Sequence, residues 1–151
     1  MKVVIGADHA GFTYKALIIK ELLQDGYEVL DLGTNNGESP DDYPDHAADV
    51  AMAILNEDAN RGILICGSAV GVSIAANKFK NIRAGVCHDT YSAHQSVEHD
   101  NVNILCLGER VVGIELAKDI VFAFLKATFS NGDRHIRRLE KISAIENKNM
   151  K

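Results

Sequence analysis

Apolar residues cluster along the chain in five short runs, which are separated by longer stretches of mixed character. The runs are rich in β-branched residues and contain few polar positions, a pattern typical of strands that are covered on both faces. Strands of this kind belong to parallel sheets. We therefore predict five strands, at residues 3–5, 28–32, 62–66, 82–87 and 103–107.

Between these runs, apolar residues recur at helical spacing and predict amphipathic helices that cover the sheet. Pro44 suits the first turn of the second helix, and residues 134–149 form a further helix, which could pack on a partner subunit. The predicted apolar faces are Phe12, Ala16, Ile19 and Leu23, then Ala47, Val50, Ala51 and Ile54, then Val112, Leu116, Ile120 and Phe124, and finally Leu139, Ile142 and Ile145.

The alternation of strands and helices indicates an α/β fold, in which right-handed crossovers build a doubly wound parallel sheet. We predict a five-stranded sheet in a Rossmann-like αβα sandwich, with an added C-terminal helix. No internal repeat or linker divides the 151 residues, so we treat residues 1–151 as one domain.

Composition and charge exclude several classes of protein. The formal net charge of -5 argues against a nucleic-acid surface, and no run approaches the roughly 20 apolar residues of a membrane span. No signal peptide is recognisable, which favours a cytoplasmic location. Cys66, Cys87 and Cys106 form no CxxC pair, so we expect reduced thiols rather than disulfides or a zinc site.

Cys66 lies at the end of the third predicted strand, directly before a glycine-rich turn that begins a helix. Ligands of parallel α/β sheets bind where the strands end. The following helix N-terminus would favour the thiolate, and the N–H groups of residues 67–71 could bind a developing negative charge. Cys66 is therefore our candidate base. The alternative is a small buried apolar residue, as we expect for Cys87 and Cys106.

The first predicted strand ends in Asp8 and His9, at the same edge of the sheet. Asp8 could bind a sugar hydroxyl, or it could cap the following helix while His9 is solvated. A dinucleotide-binding turn is disfavoured. Residues 67–72 lack the second and third glycines of that fingerprint, and the first βα turn does not carry it.

Further candidates follow later in the chain. His99, just ahead of the fifth strand, could be a general acid or an ordinary loop residue at the surface. Arg134 and Arg138 lie one helical turn apart and could bind a phosphate, or they could form a solvated face. Arg110, after the fifth strand, has the same two interpretations.

Six motifs are spread over nearly the whole chain: Asp8-His9-Ala10-Gly11-Phe12, Asp42-Tyr43-Pro44, Ile65-Cys66-Gly67-Ser68, residues 73–78, residues 107–113, and Arg134-His135. Together they resemble the family of B-type ribose-5-phosphate isomerases, which also holds allose-6-phosphate isomerase and the subunits of galactose-6-phosphate isomerase. The resemblance implies interconversion of ribose 5-phosphate and ribulose 5-phosphate through a cis-enediolate in the pentose phosphate pathway. It implies neither a metal nor an organic cofactor.

The resemblance also implies roles for single residues. Cys66 matches the catalytic base and His99 the acid that opens the sugar ring, reaching the site from the neighbouring subunit of a homodimer or a dimer of dimers. The other matched positions are Asp8 and Ser68 for sugar hydroxyls and ring opening, Tyr43 beside the sugar, Gly67, Ser68, Ala69, Val70 and Gly71 for the anion hole, His9, Arg134 and Arg138 for the phosphate, and Arg110 for the phosphate from the partner chain.

Three positions separate this chain from other members. The branch that uses a glutamate places it where Val72 lies, which favours the cysteine here. Ala69 replaces a common glycine and predicts an ordinary backbone conformation at that point. Asp100 replaces the asparagine that usually follows the histidine. By position the resemblance makes it a substrate-binding candidate, but its carboxylate would repel a phosphate unless it points away or is protonated.

Two alternatives stay open from the sequence. The substrate could be a six-carbon phosphosugar, since a difference of one hydroxymethylene depends on pocket depth. The same fold also occurs in non-catalytic, flavodoxin-like modules. A signalling receiver of that kind needs an aspartate where this chain has Cys66.

Overall fold

A single sheet of five parallel strands forms the centre of the structure. The computed structural model describes residues 1–150. The strands are β1 (Lys2–Ala7), β2 (Glu28–Asp31), β3 (Arg61–Cys66), β4 (Ala84–Val86) and β5 (Ile104–Gly108). They lie in the order β2-β1-β3-β5-β4, and each neighbouring pair is parallel. The predicted five-stranded, doubly wound sheet is thus confirmed.

Helices cover both faces of the sheet. They are α1 (Phe12–Gln24), α2 (Tyr43–Leu55), α3 (Val70–Ala76), α4 (Thr90–Asp100), α5 (Ile114–Lys126) and α6 (Asp133–Asn149), and a short 3₁₀ turn at His9–Gly11 precedes α1. Buried residues of α1, α4 and α5 form one core with the sheet, and those of α2 and α3 form a second core on the opposite face. This arrangement is the predicted αβα sandwich, and α6 is its added C-terminal helix.

Strand burial follows position in the sheet. The central strands β1, β3 and β5 are almost completely buried, as their apolar runs predicted, whereas the edge strands β2 and β4 are partly exposed. The fourth run also overestimated its strand. Only Ala84–Val86 is strand, because Ile82 donates its N–H to Phe79 in a turn and β4 has a single neighbour, β5.

The predicted face of α1 is wrong by one position. Leu23 is 56% exposed, and the inward residues are Lys15, Ile18 and Leu22. Lys15 can be buried because its ammonium group lies 2.6 Å from Asp31 Oδ1 at the end of β2, while its methylene groups lie close against Gly33. On α5, Leu116 is likewise exposed, and Ala117 lies inward in its place.

Helix α4 was absent from the sequence prediction, so His99 lies in the last turn of a helix rather than in a loop. The helix buries only Ala93, Ser96 and Val97, and this short apolar face gave little periodic signal. Its start is fixed by Asp89, whose carboxylate accepts the N–H of Ser92 at 2.6 Å.

The order of the strands creates a crevice between β1 and β3. From β1 the chain continues to β2 at one edge of the sheet, whereas β4 and β5 lie beyond β3 on the other side. Such a switch point is where open α/β sheets bind ligands. Separately, no helix within residues 1–150 is long and apolar enough to cross a membrane.

Candidate active site

A cleft of about 350 Å³ opens where β1, β3 and β5 end. Both β1 and β3 contribute the residues that directly follow or end the strand, so the fold converges these side chains on one point. All of the lining residues except Ala10 and Val111 were candidates from the sequence. The lining consists of Asp8, His9, Ala10, Tyr43, Cys66, Gly67, Ser68, Gly71, Arg110 and Val111.

The Cys66 thiol lies at the bottom of this cleft and is 5% exposed. Its Sγ accepts a hydrogen bond from the N–H of Ala69 at 3.1 Å. This bond places one backbone donor at the sulfur. The other two cysteines are buried away from the cleft, and burial raises the pKa of both Cys87 and Cys106. Only Cys66 is therefore placed to react.

The turn after Cys66 depends on an unusual backbone conformation. Ala69 has φ +73° and ψ -14°, which lie in the left-handed region, so the expectation of an ordinary conformation is wrong. This conformation costs a residue with a Cβ roughly 1–2 kcal/mol. Ala69 is the N-cap residue of α3, so this conformation leads the chain from the turn whose amide bonds Sγ directly into the helix.

Only part of residues 67–71, which were predicted to form an anion hole, lines the cleft. Ala69 is fully buried and Val70 lies outside the cleft, and their amides bond Cys66 Sγ and Ser68 Oγ, at 3.1 and 3.3 Å. Gly67, Ser68 and Gly71 remain as lining residues. The local backbone thus divides its donors between the thiol, the Ser68 hydroxyl and the cleft.

Backbone hydrogen bonds from the residues after β5 fix the turn that follows Cys66. The N–H of Glu109 donates to the Cys66 carbonyl at 2.9 Å, and the N–H of Arg110 donates to the Gly67 carbonyl at 3.1 Å. A Cβ on Gly108 would lie only 2.9 Å from the carbonyl carbon of Ser68, so only glycine fits there. The two backbones therefore pack directly against each other.

Arg110 brings a positive charge to the cleft of its own chain. A Cβ on Gly67 would lie 3.4 Å from Arg110 Nη1, which places the guanidinium group beside the Cys66 turn. The resemblance assigned Arg110 to the partner chain; in the structure it shares a cleft with Cys66 of the same chain.

Asp8 caps the turn that follows β1, which was one of the two interpretations left open by the sequence. Its Oδ1 accepts the N–H groups of Ala10 and Gly11, at 3.0 and 3.2 Å, and so caps the 3₁₀ turn. These bonds leave Oδ2 for a ligand in the cleft that Asp8 lines.

His9 is held by Asp41, a residue that the sequence did not single out. Asp41 Oδ1 accepts the His9 N–H at 2.8 Å and lies 3.0 Å from His9 Nδ1, and Asp41 Oδ2 lies 2.7 Å from His46 Nε2. Burial acts to raise the pKa of Asp41, but the His9 amide and the two rings outweigh it and lower that pKa to about 2. The two adjacent acids at 41 and 42, just ahead of a predicted helix, were the only sequence signal for this contact. The sequence did not show that the preceding loop brings Asp41 to His9.

The remaining candidates form a second group on α4 and α6, and none of them lines the cleft. The ring of His99 stacks on that of His135, with 4.1 Å between ring centroids. Burial lowers the pKa of His135, and the positive charges of His99, Arg134 and Arg138 lower it further. These residues therefore form one basic cluster. Asp100 lines a different groove, together with Ile142 and Ile145 of α6.

One group of side chains in the described residues could hold a metal ion. Ligand atoms of Asp8, His9 and Asp41 lie within 4.8 Å of one another. Each of these side chains already takes part in the hydrogen bonds described above. The hydrogen-bond network accounts for their proximity.

The chain matches known proteins over nearly all of its length. The model of the family described as Ribose/Galactose Isomerase matches residues 3–142. The chain is 50% identical to ribose-5-phosphate isomerase B of Escherichia coli over 96% of each chain. It is 41% identical to D-erythrulose-4-phosphate isomerase 2 of Mycolicibacterium smegmatis over 97% of each.

The fold is also similar to that of a solved structure. Ribose-5-phosphate isomerase B of Clostridium thermocellum superimposes with a TM-score of 0.95 at 51% identity, covering 98% of this chain and 99% of the other. Sequence motifs, sheet order and whole-chain similarity all agree, and the chain belongs to the ribose/galactose isomerase family.

Proposed function

We propose that this protein is an aldose-ketose isomerase that interconverts ribose 5-phosphate and ribulose 5-phosphate. The observation that carries the proposal is the Cys66 thiol at the bottom of the cleft, bonded by the Ala69 amide and flanked by Asp8 and Arg110. The 50% identity to a ribose-5-phosphate isomerase B over 96% of each chain supports the same substrate.

The reaction needs one base that acts on two neighbouring carbons. The Cys66 thiolate takes the proton from C2 of the open aldose, and the C–H electrons form the C1–C2 double bond of a cis-enediolate. The carbonyl electrons move to O1, which becomes negatively charged until it gains a proton. Loss of the O2 proton then lets C1 take the proton held by sulfur, and ribulose 5-phosphate results. Proton movement balances within the substrate and the enzyme.

The negative charge of the enediolate requires donors at the site. Gly67, Ser68 and Gly71 line the cleft, and Arg110 places a guanidinium group beside them. One well-placed donor of this type stabilises a transition state by roughly 2.7–4 kcal/mol. Asp8 Oδ2 and the Ser68 hydroxyl would bind sugar hydroxyls, and Tyr43 would pack beside the sugar.

A second copy of the chain would complete this site. His99, Arg134 and Arg138 lie outside the cleft of their own chain, on a surface where α6 exposes Ile142 and Ile145. In a homodimer or a dimer of dimers, that surface would cover the partner's cleft and deliver a ring-opening acid and phosphate ligands. Burial of the exposed isoleucines would contribute to such an interface.

The number of carbon atoms in the substrate is the part of the proposal for which alternatives exist. The family description names galactose, and a relative that is 41% identical is named for a four-carbon sugar phosphate. Comparison of kcat/KM for four-, five- and six-carbon aldose phosphates decides between them, and the proposal requires ribose 5-phosphate to rank first.

Unpaired thiols suit a cytoplasmic enzyme of the pentose phosphate pathway.

The activity itself is tested by incubating the purified protein with ribose 5-phosphate and measuring ribulose 5-phosphate. Cys66→Ala should abolish turnover while substrate binding stays nearly intact, because a thiol contributes little to ground-state affinity. Cys87→Ala is the matched control and should keep full kcat. Full activity of purified Cys66→Ala would refute Cys66 as the base.

Sharing of the site between chains has its own test. Cys66→Ala and His99→Ala are each inactive alone if both residues act in one site. When the two variants exchange subunits, mixed dimers contain one site with both wild-type residues, so part of the activity should return. Failure to recover activity despite exchange, shown by mass spectrometry of the mixed dimers, would place the whole site in one chain.

A further inference from the structure

The carboxylate of Asp41 lies between two histidines at the edge of the cleft. Its Oδ1 is 3.0 Å from His9 Nδ1, and its Oδ2 is 2.7 Å from His46 Nε2. The His9 side chain is 33% exposed, that of Asp41 26%, and that of His46 16%. Of these three residues only His9 lines the cleft, so Asp41 acts on a ligand through His9.

These contacts determine which nitrogen of His9 carries a proton. His9 Nδ1 is 3.0 Å from Asp41 Oδ1 and 3.3 Å from the Asp41 N–H. If Nδ1 carried no proton, it could accept the longer bond from the Asp41 N–H. Its lone pair would then face the Asp41 carboxylate oxygen, which is unfavourable. A protonated Nδ1 donates to the carboxylate, and the low pKa of Asp41 keeps that group ionised at neutral pH. Nδ1 therefore carries a proton, and Nε2 is the nitrogen left for the cleft.

We propose that Asp41 is a positioning residue that fixes the His9 ring through Nδ1 and directs Nε2 to the phosphate of the substrate. This inference rests on the proposed function, because it takes the anion in the cleft to be a sugar phosphate. A ring that donates from Nδ1 to the carboxylate and from Nε2 to the phosphate would bridge the two anions. Asp41 thus holds the ring in the orientation from which Nε2 can donate to phosphate.

His46 extends the network by one residue. Its Nε2–H can donate to Asp41 Oδ2, which holds the carboxylate plane while Oδ1 faces His9. Oδ1 also accepts the His9 N–H, so backbone and ring are held by the same oxygen. Loss of His46 should therefore loosen the orientation of His9 without removing its partner, and its effect should be smaller than that of losing Asp41.

The test compares Asp41→Asn, Asp41→Ala and His46→Gln with the wild type. Asp49→Asn is the control, since Asp49 is an exposed acid of α2 for which the described residues provide no side-chain partner. Inorganic phosphate is the first probe, and its Kd is measured by calorimetry. We expect Asp41→Ala to weaken phosphate binding roughly tenfold, Asp41→Asn and His46→Gln less, and the control not at all.

The tautomer of His9 gives a readout that a merely structural role would not change. In ¹⁵N-labelled wild-type protein, the ring signals of His9 should show a proton on Nδ1. In Asp41→Ala they should shift toward the Nε2–H tautomer that an unconstrained imidazole prefers. In turnover assays, KM for ribose 5-phosphate should rise by a similar factor in Asp41→Ala while kcat changes less than twofold.

Wild-type ring signals that show a bare Nδ1 would overturn the inference, as would an unchanged phosphate Kd in a folded Asp41→Ala protein. Lack of phosphate binding by the wild type would overturn it too. Failure of the proposed function looks different. A protein that isomerises no phosphosugar, yet shows the predicted ring signals and phosphate affinities, would contradict the isomerase activity and leave the role of Asp41 standing.

Discussion

A single methyl group added at Gly71 should separate activity from stability. Gly71 lies in the first turn of α3, and the ring of Tyr43 packs against its bare Cα. A Cβ at this position would lie 2.6 Å from Tyr43 Cζ, whereas ordinary contacts begin at 3.4 Å. The ring must therefore move by about 1 Å. Tyr43 is 40% exposed, so it can move toward solvent.

The energetic terms of Gly71→Ala nearly cancel in the folded state. Replacing glycine by alanine within a helix gains up to about 1 kcal/mol. Pushing a side chain off its preferred rotamer costs about 0.5–1.5 kcal/mol. We expect the free energy of unfolding to stay within about 1 kcal/mol of the wild type. Loss of the Tyr43 contact with the sugar should raise KM roughly three- to tenfold, which corresponds to about 0.7–1.4 kcal/mol.

Urea unfolding and steady-state kinetics on four proteins test this reasoning: the wild type, Gly71→Ala, Tyr43→Ala and the double variant. If the methyl group acts through the ring, Gly71→Ala should change KM less than twofold once Tyr43 is absent. Gly113→Ala is the control, because a Cβ there meets nothing within 4 Å. An equal rise in KM in both backgrounds, or destabilisation above about 2 kcal/mol, would refute the account.

Three further changes have defined outcomes. Arg61 donates to carbonyl groups at the end of α5, so Arg61→Met should lower the free energy of unfolding by about 2–4 kcal/mol in urea titrations, while exposed Arg137→Met should not. The pKa of Asp41 is about 2, below its ordinary value of 3.8. Its stabilising contribution is therefore complete above the ordinary value and is lost as pH falls toward 2. Acid titrations should show a steeper loss of stability for the wild type than for Asp41→Asn, by on the order of 1 kcal/mol, and parallel curves would contradict this. Arg138→Ala should raise KM for ribose 5-phosphate with little change in kcat, and an unchanged KM would count against a phosphate contact.

The central strands could be predicted from the sequence because burial on both faces leaves a continuous apolar run. Apolar runs were a poor guide to elements that are only partly buried. β4 has three residues instead of the predicted six, and α4 was missed because it buries so few apolar side chains. Asp89 was a sequence signal for the start of α4. The packing of α4 against α5 could not be predicted, because it depends on the tertiary structure.

The position of the cleft was predictable from the sequence, but its local geometry was not. Asp8 follows β1 and Cys66 ends β3, so the parallel sheet alone brings them together. The left-handed conformation of Ala69 could not be foreseen, because residue preferences favour glycine in that region and the chain has alanine there. Asp41 reaches His9 across 32 residues of sequence through an irregular loop, a contact that no local pattern encodes.

Transfer of the substrate's own proton by Cys66 is the claim on which the mechanism depends. The direct measurement is incorporation of deuterium at C2 of ribose 5-phosphate, formed from ribulose 5-phosphate in D₂O and read by NMR. Wild type and Cys87→Ala should both incorporate deuterium, because the thiol exchanges with solvent, and Cys66→Ala should incorporate none above the uncatalysed rate. Deuterium incorporation by Cys66→Ala at the wild-type rate would show that another group moves the proton.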